Sequence, residues 1–332
     1  DDLNVLSYYK NNQKGSAIFS VLILLAVVSS LVSLIVNSNQ QNNYYSQRYE
    51  NNSKLMMQIH SVEDFAIDVL RTDYMENPQI THLNENWNTP INNFPIGPYS
   101  VFATITDQDS KLNINNLVIK ERTENLNVVN LIHLQSFINL FDRLDIDRNK
   151  IYSIIDWIDN DTERYTASGA EDVFYLQKNP AYRAANNYIQ HLDELLLVKG
   201  FDQQTLSKLE PYIAASPSDS FININTAGET VVRAIHNIIG PTYLELLGGK
   251  IEENPFINMN EFEAFLKNEL RLNEVIANQI ISITSTTSKN FLLNAKIVYR
   301  DSFITFTTSI SLKKDNETFE KYNRIIKKFG TI

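Results

Sequence analysis

The apolar positions of this chain fall into three successive patterns. From Ser16 to Val36, 21 residues pass without a charge, rich in Val, Leu, Ile and Ala and interrupted by Ser16, Ser20, Ser29, Ser30 and Ser33. As a helix rising 1.5 Å per residue, such a run spans about 30 Å, the hydrocarbon thickness of a bilayer. A buried core helix would carry a polar face, and a cleavable secretory signal has a shorter apolar region of roughly 7–15 residues. One transmembrane helix is therefore predicted. Beyond Val36 no Gly or Pro intervenes before Asn77-Pro78, and Leu55, Ile59, Val62, Phe65, Ala66, Val69 and Leu70 recur at helical spacing. The membrane helix is expected to continue as an amphipathic stem to about Tyr74.

The second pattern is strand-like. After turn-rich sequence from Asn77 to Pro98, Val101, Ala103 and Ile105 alternate with polar or outward positions across Tyr99 to Asp107. That alternation predicts a half-buried strand. Similar runs close the chain at Ala295–Tyr299, Phe303–Leu312 and Thr318–Phe329, with turns at Asp301-Ser302 and Lys314-Asp315-Asn316. Between early and late strands lies the third pattern, short helical periodicities at 126–144, 148–158, 191–198, 203–213, 226–239, 261–270 and 273–282. The expected class is α+β: a small antiparallel sheet interrupted by a large helical insertion.

Charge narrows the functional field. The 332 residues carry 29 Lys+Arg against 39 Asp+Glu, a formal net charge of -10, so a sequence-blind grip on nucleic acid through clustered cations is not expected. The chain has no Cys, which removes disulfides, thiolate metal sites and cysteine nucleophiles. Lys10 and Lys14 flank the amino end of the apolar run while Asn and Gln crowd its other end. The positive-inside rule then leaves the amino terminus cytoplasmic and puts everything after Val36 across the membrane.

The densest chemistry is acidic: Asp156, Asp159, Asp161 and Glu163, then Glu171-Asp172 after a short loop. Oxygen ligands crowded at a helix end suit Ca²⁺, which takes six to eight of them. The sixth and twelfth positions counted from Asp159 are Arg164 and Ala170, so this is no EF-hand. A solvated acidic loop and a general acid/base pair are the competing readings. Val198-Lys199-Gly200-Phe201 has the rhythm of a helix-hairpin-helix turn, and Asn225-Thr226-Ala227 reads as a helix cap. Signatures such as HExxH, the P-loop, GxSxG and the dinucleotide fingerprint are absent from the sequence, and no enzyme activity is expected.

Lys14-Gly15 ahead of the apolar run resembles a type IV prepilin cleavage site, with the cut between Gly15 and Ser16. Position 1 is Asp rather than Met, so a longer leader is expected. In the middle of the chain, Asn113-Ile114-Asn115-Asn116-Leu117, Asp156-Trp157-Ile158-Asp159, Gly169-Ala170-Glu171-Asp172, Tyr182-Arg183-Ala184-Ala185-Asn186, Glu194-Leu195 and Asn223-Ile224-Asn225-Thr226-Ala227 occur in an order that closely resembles the K-type minor pseudopilins of type II secretion systems. The fifth residue after the cut is Ser20 where ordinary pilins carry Glu, a departure the K-type shares.

The resemblance implies a pilin-like fold, with a long N-terminal transmembrane helix packed on a small antiparallel sheet and a large inserted helical domain. The expected parts are a leader at 1–15, a membrane segment at 16–36, stem, loop and first strand at 37–112, the insertion at 113–290 with helix-hairpin-helix-like parts, and the remaining strands at 291–332. It also implies a place at the tip of the periplasmic pseudopilus, anchored in the inner membrane, with I-type and J-type minor pseudopilins, prepilin peptidase and the inner-membrane assembly platform as partners. Calcium is the cofactor it implies, held by some of Asp156, Asp159, Asp161, Glu171 and Asp172. A type IV pilus minor pilin and a membrane-anchored DNA-uptake receptor are the alternatives; the first should lack the GAED and YRAAN elements, and the second should display a basic face.

Overall fold

The computed structural model describes residues 5–120, 127–217, 220–313 and 318–331. Residues 1–4 of the leader and the expected turn at 314–316 lie outside the described residues. Helix α1 runs without a break from Val5 to Glu76. At 1.5 Å per residue its 72 residues reach about 108 Å. Membrane span and stem are thus one rod, and its apolar part from Ile18 has the length and hydropathy to cross a bilayer. Gly15 and Ser16 lie within the helix backbone. The helix ends where Pro78 restricts Asn77 away from α geometry.

The stem packs on a five-stranded antiparallel sheet of β1 (Ile91–Ile96), β2 (Tyr99–Asp107), β3 (Asn290–Tyr299), β4 (Ser302–Lys313) and β5 (Thr318–Thr331), hydrogen-bonded in that order. Alternation decides which face is covered: Phe291, Leu293, Ala295, Ile297 and Tyr299 of β3 are buried while the residues between them are not. Against them lie Leu55, Ile59, Val62, Ala66 and Leu70 of the stem. Fully burying such a Leu or Ile contributes about 1.5–3 kcal/mol. Phe65, expected in this core, is 51% exposed and lines a groove of about 450 Å³ with Trp87, Ile91 and Phe94.

Strand β1 corrects the reading of 77–98 as irregular. Its interior, Asn92 to Pro95, is exposed, its register shifts between Ile91 and Phe94, and Asn93 is left-handed at φ 55. Those are properties of an edge strand, which needs no alternating apolar face and tolerates a missing N–H.

Everything between β2 and β3 is insertion. Its helices are α2 (Leu131–Arg143), α3 (Lys150–Ile158), α4 (Asp172–Tyr175), α5 (Gln203–Leu209), α6 (Glu229–Ile235), α7 (Pro241–Glu253), α8 (Met259–Asn268) and α9 (Glu274–Ile281). Three small strand pairs stitch them: 112–113 with 213–214, 118–120 with 127–129, and 222–223 with 284–285. The helix expected from Leu126 starts instead at Leu131, because Asn127–Val129 pairs as a strand and the Asn130 side chain accepts the His133 N–H. Helix α7, absent from the periodicities above, buries Leu247 and packs Tyr243, Leu244 and Ile251 on the insertion core, with the helix-weakening pair Gly248-Gly249 in its middle. The insertion has its own core, separate from that of the sheet, around Phe137, Phe141, Ile155, Leu195, Leu209, Phe256 and Phe262.

The insertion leaves and rejoins the sheet at Asp107 and Asn290, whereas the turns at Gly97-Pro98 and Arg300-Asp301 mark the opposite end. Arg300 and Asp301 lie beside Tyr44 and Arg48 of the stem, near the apolar span. The bulk of the insertion therefore joins the end of the sheet farther from the membrane segment.

Candidate metal centre

Helix α3 delivers the first two carboxylates. Its apolar face, Ile151, Ile154, Ile155 and Ile158, is anchored in the insertion core, which fixes Asp156 in the last turn and Asp159 at the C-cap. The Asp159 N–H closes the helix on the Ile155 carbonyl at 2.9 Å. The loop beyond turns at Asp161, whose Oδ1 accepts the Glu163 N–H at 2.8 Å. It returns past Gly169 to Glu171, the residue before α4. A Cβ at Gly169 would lie 1.9 Å from Asp156 Oδ2, so any larger residue would displace that carboxylate.

One carboxylate oxygen each from Asp159, Asp161 and Glu171 falls within 4.8 Å of the others. Asp156 Oδ1 accepts the Tyr165 N–H at 2.8 Å, but its Oδ2 is buried without a partner. Asp159 Oδ1 and both oxygens of Glu171 are in the same condition, with these side chains 6% and 5% exposed. Buried carboxylate oxygens normally find donors, so four orphans in one loop form a set of oxygens that could hold a cation.

The electrostatics agree. Burial, only partly offset by the Tyr165 N–H, pushes Asp156 up to about 6. Burial and then repulsion from Asp161 and Asp156 push Asp159 up to about 7. Burial followed by repulsion from Asp156, Asp159 and Asp161 pushes Glu171 up to about 8. The Lys199 ammonium is spent on the carbonyls of Ser168 and Gly169 at 3.1 and 3.0 Å.

Of the five expected ligands, Asp172 does not join the others. Its Oδ2 pairs with Arg183 at 3.0 Å and its Oδ1 accepts the Ala184 N–H at 3.0 Å, tying α4 to the Tyr182–Asn186 segment. That segment brings in a residue the sequence reading passed over as a ligand. Asn186 is left-handed at φ 48, its Oδ1 is buried without a partner, and its Nδ2 lies 3.5 Å from the Asp161 carbonyl. Its type among Tyr182–Asn186 was visible; its arrival beside Asp161 from 25 positions away was not.

The cap reading of Asn225-Thr226 is corrected as well. Gly228 occupies the N-cap of α6, while Thr226 bonds to Asp107 and Asn225 holds both polar groups of the Phe256 backbone. The turn at Gly200, at φ 88, does connect a 3-10 helix at Leu192–Leu197 to α5.

Stem, sheet and helical insertion together define a membrane-anchored, pilin-like protein. Residues 110–218 match the family model of type II secretion system (T2SS) protein K. The chain is 31% identical over 182 residues to type II secretion system protein K of Pseudomonas aeruginosa, covering 53% of this chain and 54% of that one. For the Klebsiella pneumoniae protein K the figures are 29% over 169 residues, 49% and 51%. The matched region thus spans about half the length of these relatives. The crystal structure of the GspK-GspI-GspJ complex from the enterotoxigenic Escherichia coli type 2 secretion system contains a chain that superposes with a TM-score of 0.71 at 22% identity, over 85% of this chain and 99% of that one. Through its middle region the chain is similar to type II secretion system protein K, and in fold it is similar to a chain of the GspK-GspI-GspJ complex.

Proposed function

We propose that this protein is the tip subunit of a type II secretion pseudopilus, a structural rather than catalytic component that starts and caps filament assembly for export of folded proteins. The observation that carries the reading is the placement of the helical insertion at the sheet end farther from the membrane span. A pilin-like rod presents its stem to neighbours below, and a bulky domain at the far end obstructs addition of a subunit above. The fold shared with a chain solved alongside GspI and GspJ supports I-type and J-type partners. Prepilin peptidase would cut between Gly15 and Ser16, and the inner-membrane platform would receive the stem, with the sheet and insertion periplasmic.

In this reading Asp156, Asp159, Asp161, Glu171 and Asn186 hold Ca²⁺ through oxygen atoms. The ion supplies the charge that their orphaned oxygens lack and fixes the loop between α3 and α4.

The test is co-purification of the full chain with the I-type and J-type subunits of its own secretion system, with Ca²⁺ and with chelator. A ternary complex is expected, and failure to co-purify in either condition would overturn the tip assignment. Salt-sensitive DNA binding by the chain would instead favour the uptake-receptor alternative.

A further inference from the structure

Four separate segments meet where the insertion joins the sheet. They are the end of β2 at Asp107–Asp109, the loop after the stem at Thr81, the insertion at Asn223–Thr226 and the return at Thr286–Asn290. At their centre are two carboxylates, Asp107 and Asp109, 4% and 3% exposed. Asp107 Oδ2 accepts the hydroxyls of Thr226 and Ser288, each at 2.5 Å, and its Oδ1 accepts the Asp109 N–H at 2.8 Å. Asp109 accepts the main-chain N–H groups of Lys289 at 2.7 Å and Asn290 at 3.2 Å, and the Asn290 side chain at 2.9 Å. Asn223 completes the joint, bonding to Thr81 O at 3.0 Å and Ser288 Oγ at 2.7 Å.

Among the described residues, every donor to this pair is neutral. Lys111 turns its ammonium to the Glu210 carbonyl, and Lys289 gives its main-chain N–H. The titratable groups whose fields reach the pair are Glu85, from the loop before β1, and Tyr322, from β5. Neither adds positive charge. Two adjacent carboxylates in such a place cannot both ionise without strong repulsion at low local dielectric.

We propose that Asp107 and Asp109 form a proton-gated clasp that sets the angle of the insertion on the pilin unit, closed when the pair holds a proton and loosened when both acids are ionised. Burial, with the mutual repulsion of the two carboxylates, raises the pair above the ordinary carboxylate range. The folded chain then binds protons here that the unfolded chain has released. The stability the clasp adds is fully present below the ordinary value of 3.8 and is lost as pH rises through the raised titration of the folded pair. The hydroxyls of Thr226 and Ser288 can rotate, so an amide at position 107 can donate to them and still accept the Asp109 N–H. Asp107→Asn therefore mimics the protonated state.

Because the chain lacks native Cys, spin labels at Thr104→Cys on the exposed face of β2 and Lys208→Cys on α5 would be its only thiol adducts. Distances between them would be read in the full chain in detergent at about pH 5.5 and about pH 8.5, either side of the titration. The expected result is a narrow distribution at the lower pH that broadens or gains a second population at the higher. Asp107→Asn should stay narrow at both, and Thr226→Val should be broad at both. An unchanged wild-type distribution overturns the proposal even if a variant fails to fold. So does an Asp107→Asn chain that responds to pH as the wild type does, since the loop around Glu171 and Glu85 itself is intact in both.

Discussion

Glu63 in the stem and Glu171 in the insertion are both buried glutamates, and the charges around them are opposite. Glu63, with a fully buried side chain, accepts hydrogen bonds from Arg324, from Lys321 at 3.1 Å and from Thr308 at 2.7 Å. Burial opposes its ionisation, but these bonds outweigh burial and hold its carboxyl below the ordinary range. Glu171 is also buried, but with two orphaned oxygens and with Asp156, Asp159 and Asp161 for neighbours, and burial and their repulsion move its carboxyl the opposite way. A buried acid with cations built in fastens one element to another. A buried acid without them either keeps its proton or can serve as an oxygen ligand to a bound cation.

The largest expected effect breaks the first site. Arg324→Leu leaves Glu63 buried with Lys321 and Thr308, and breaking a buried pair costs about 3–5 kcal/mol. Arg324 is 28% exposed and Lys321 remains, so the lower end, about 3 kcal/mol, is expected. The chain's two Trp residues allow this to be localised, because Trp87 sits in the stem-sheet core and Trp157 in the insertion core. Denaturant unfolding should weaken at Trp87 far more than at Trp157. Equal loss at both would mean that Glu63 is not specific to the stem-sheet contact.

The second effect fills the other site. Ca²⁺ at 100 times its Kd should stabilise the transition seen by Trp157 by about 2.7 kcal/mol and leave that of Trp87 nearly in place. Glu171→Gln removes one negative charge while keeping the side-chain shape, and the Ca²⁺ shift should vanish. An undiminished shift in that variant would place the ion elsewhere.

How much of this contrast could be read in the sequence depends on the distance between the partners. The stem, strands β2, β4 and β5, and most insertion helices follow from periodicity, because each is a local pattern with a buried face. Edge strand β1 lacks that face, whereas helix α7 has one in Tyr243, Leu244, Leu247 and Ile251 but carries Gly248-Gly249, two poor helix formers, in its middle. Asp156 to Glu171 is a short loop, so its acidic crowding was legible. Glu63 meets Arg324 across 261 positions and Asp107 meets Thr226 across 119, and no spacing rule reaches so far. The residue types carried no sign of which acids were already paired.

Asp172 supplies the sharpest control because it differs from Glu171 by one position. Its carboxylate is engaged by Arg183 and the Ala184 N–H, and Arg183 is 73% exposed. Exposed ion pairs contribute about 0–1 kcal/mol, so Arg183→Ala should shift the Trp157 transition by less than about 1 kcal/mol. Asp172→Asn should also leave the Ca²⁺ shift intact, since the neighbouring Glu171, Asp159 and Asp161 are untouched. The comparison therefore rests on orientation rather than on charge, because either substitution at 171 or 172 removes one negative charge from the same loop. If Asp172→Asn abolishes the Ca²⁺ shift as fully as Glu171→Gln, net charge alone governs the site, and orphaned oxygens no longer distinguish a ligand from a tie.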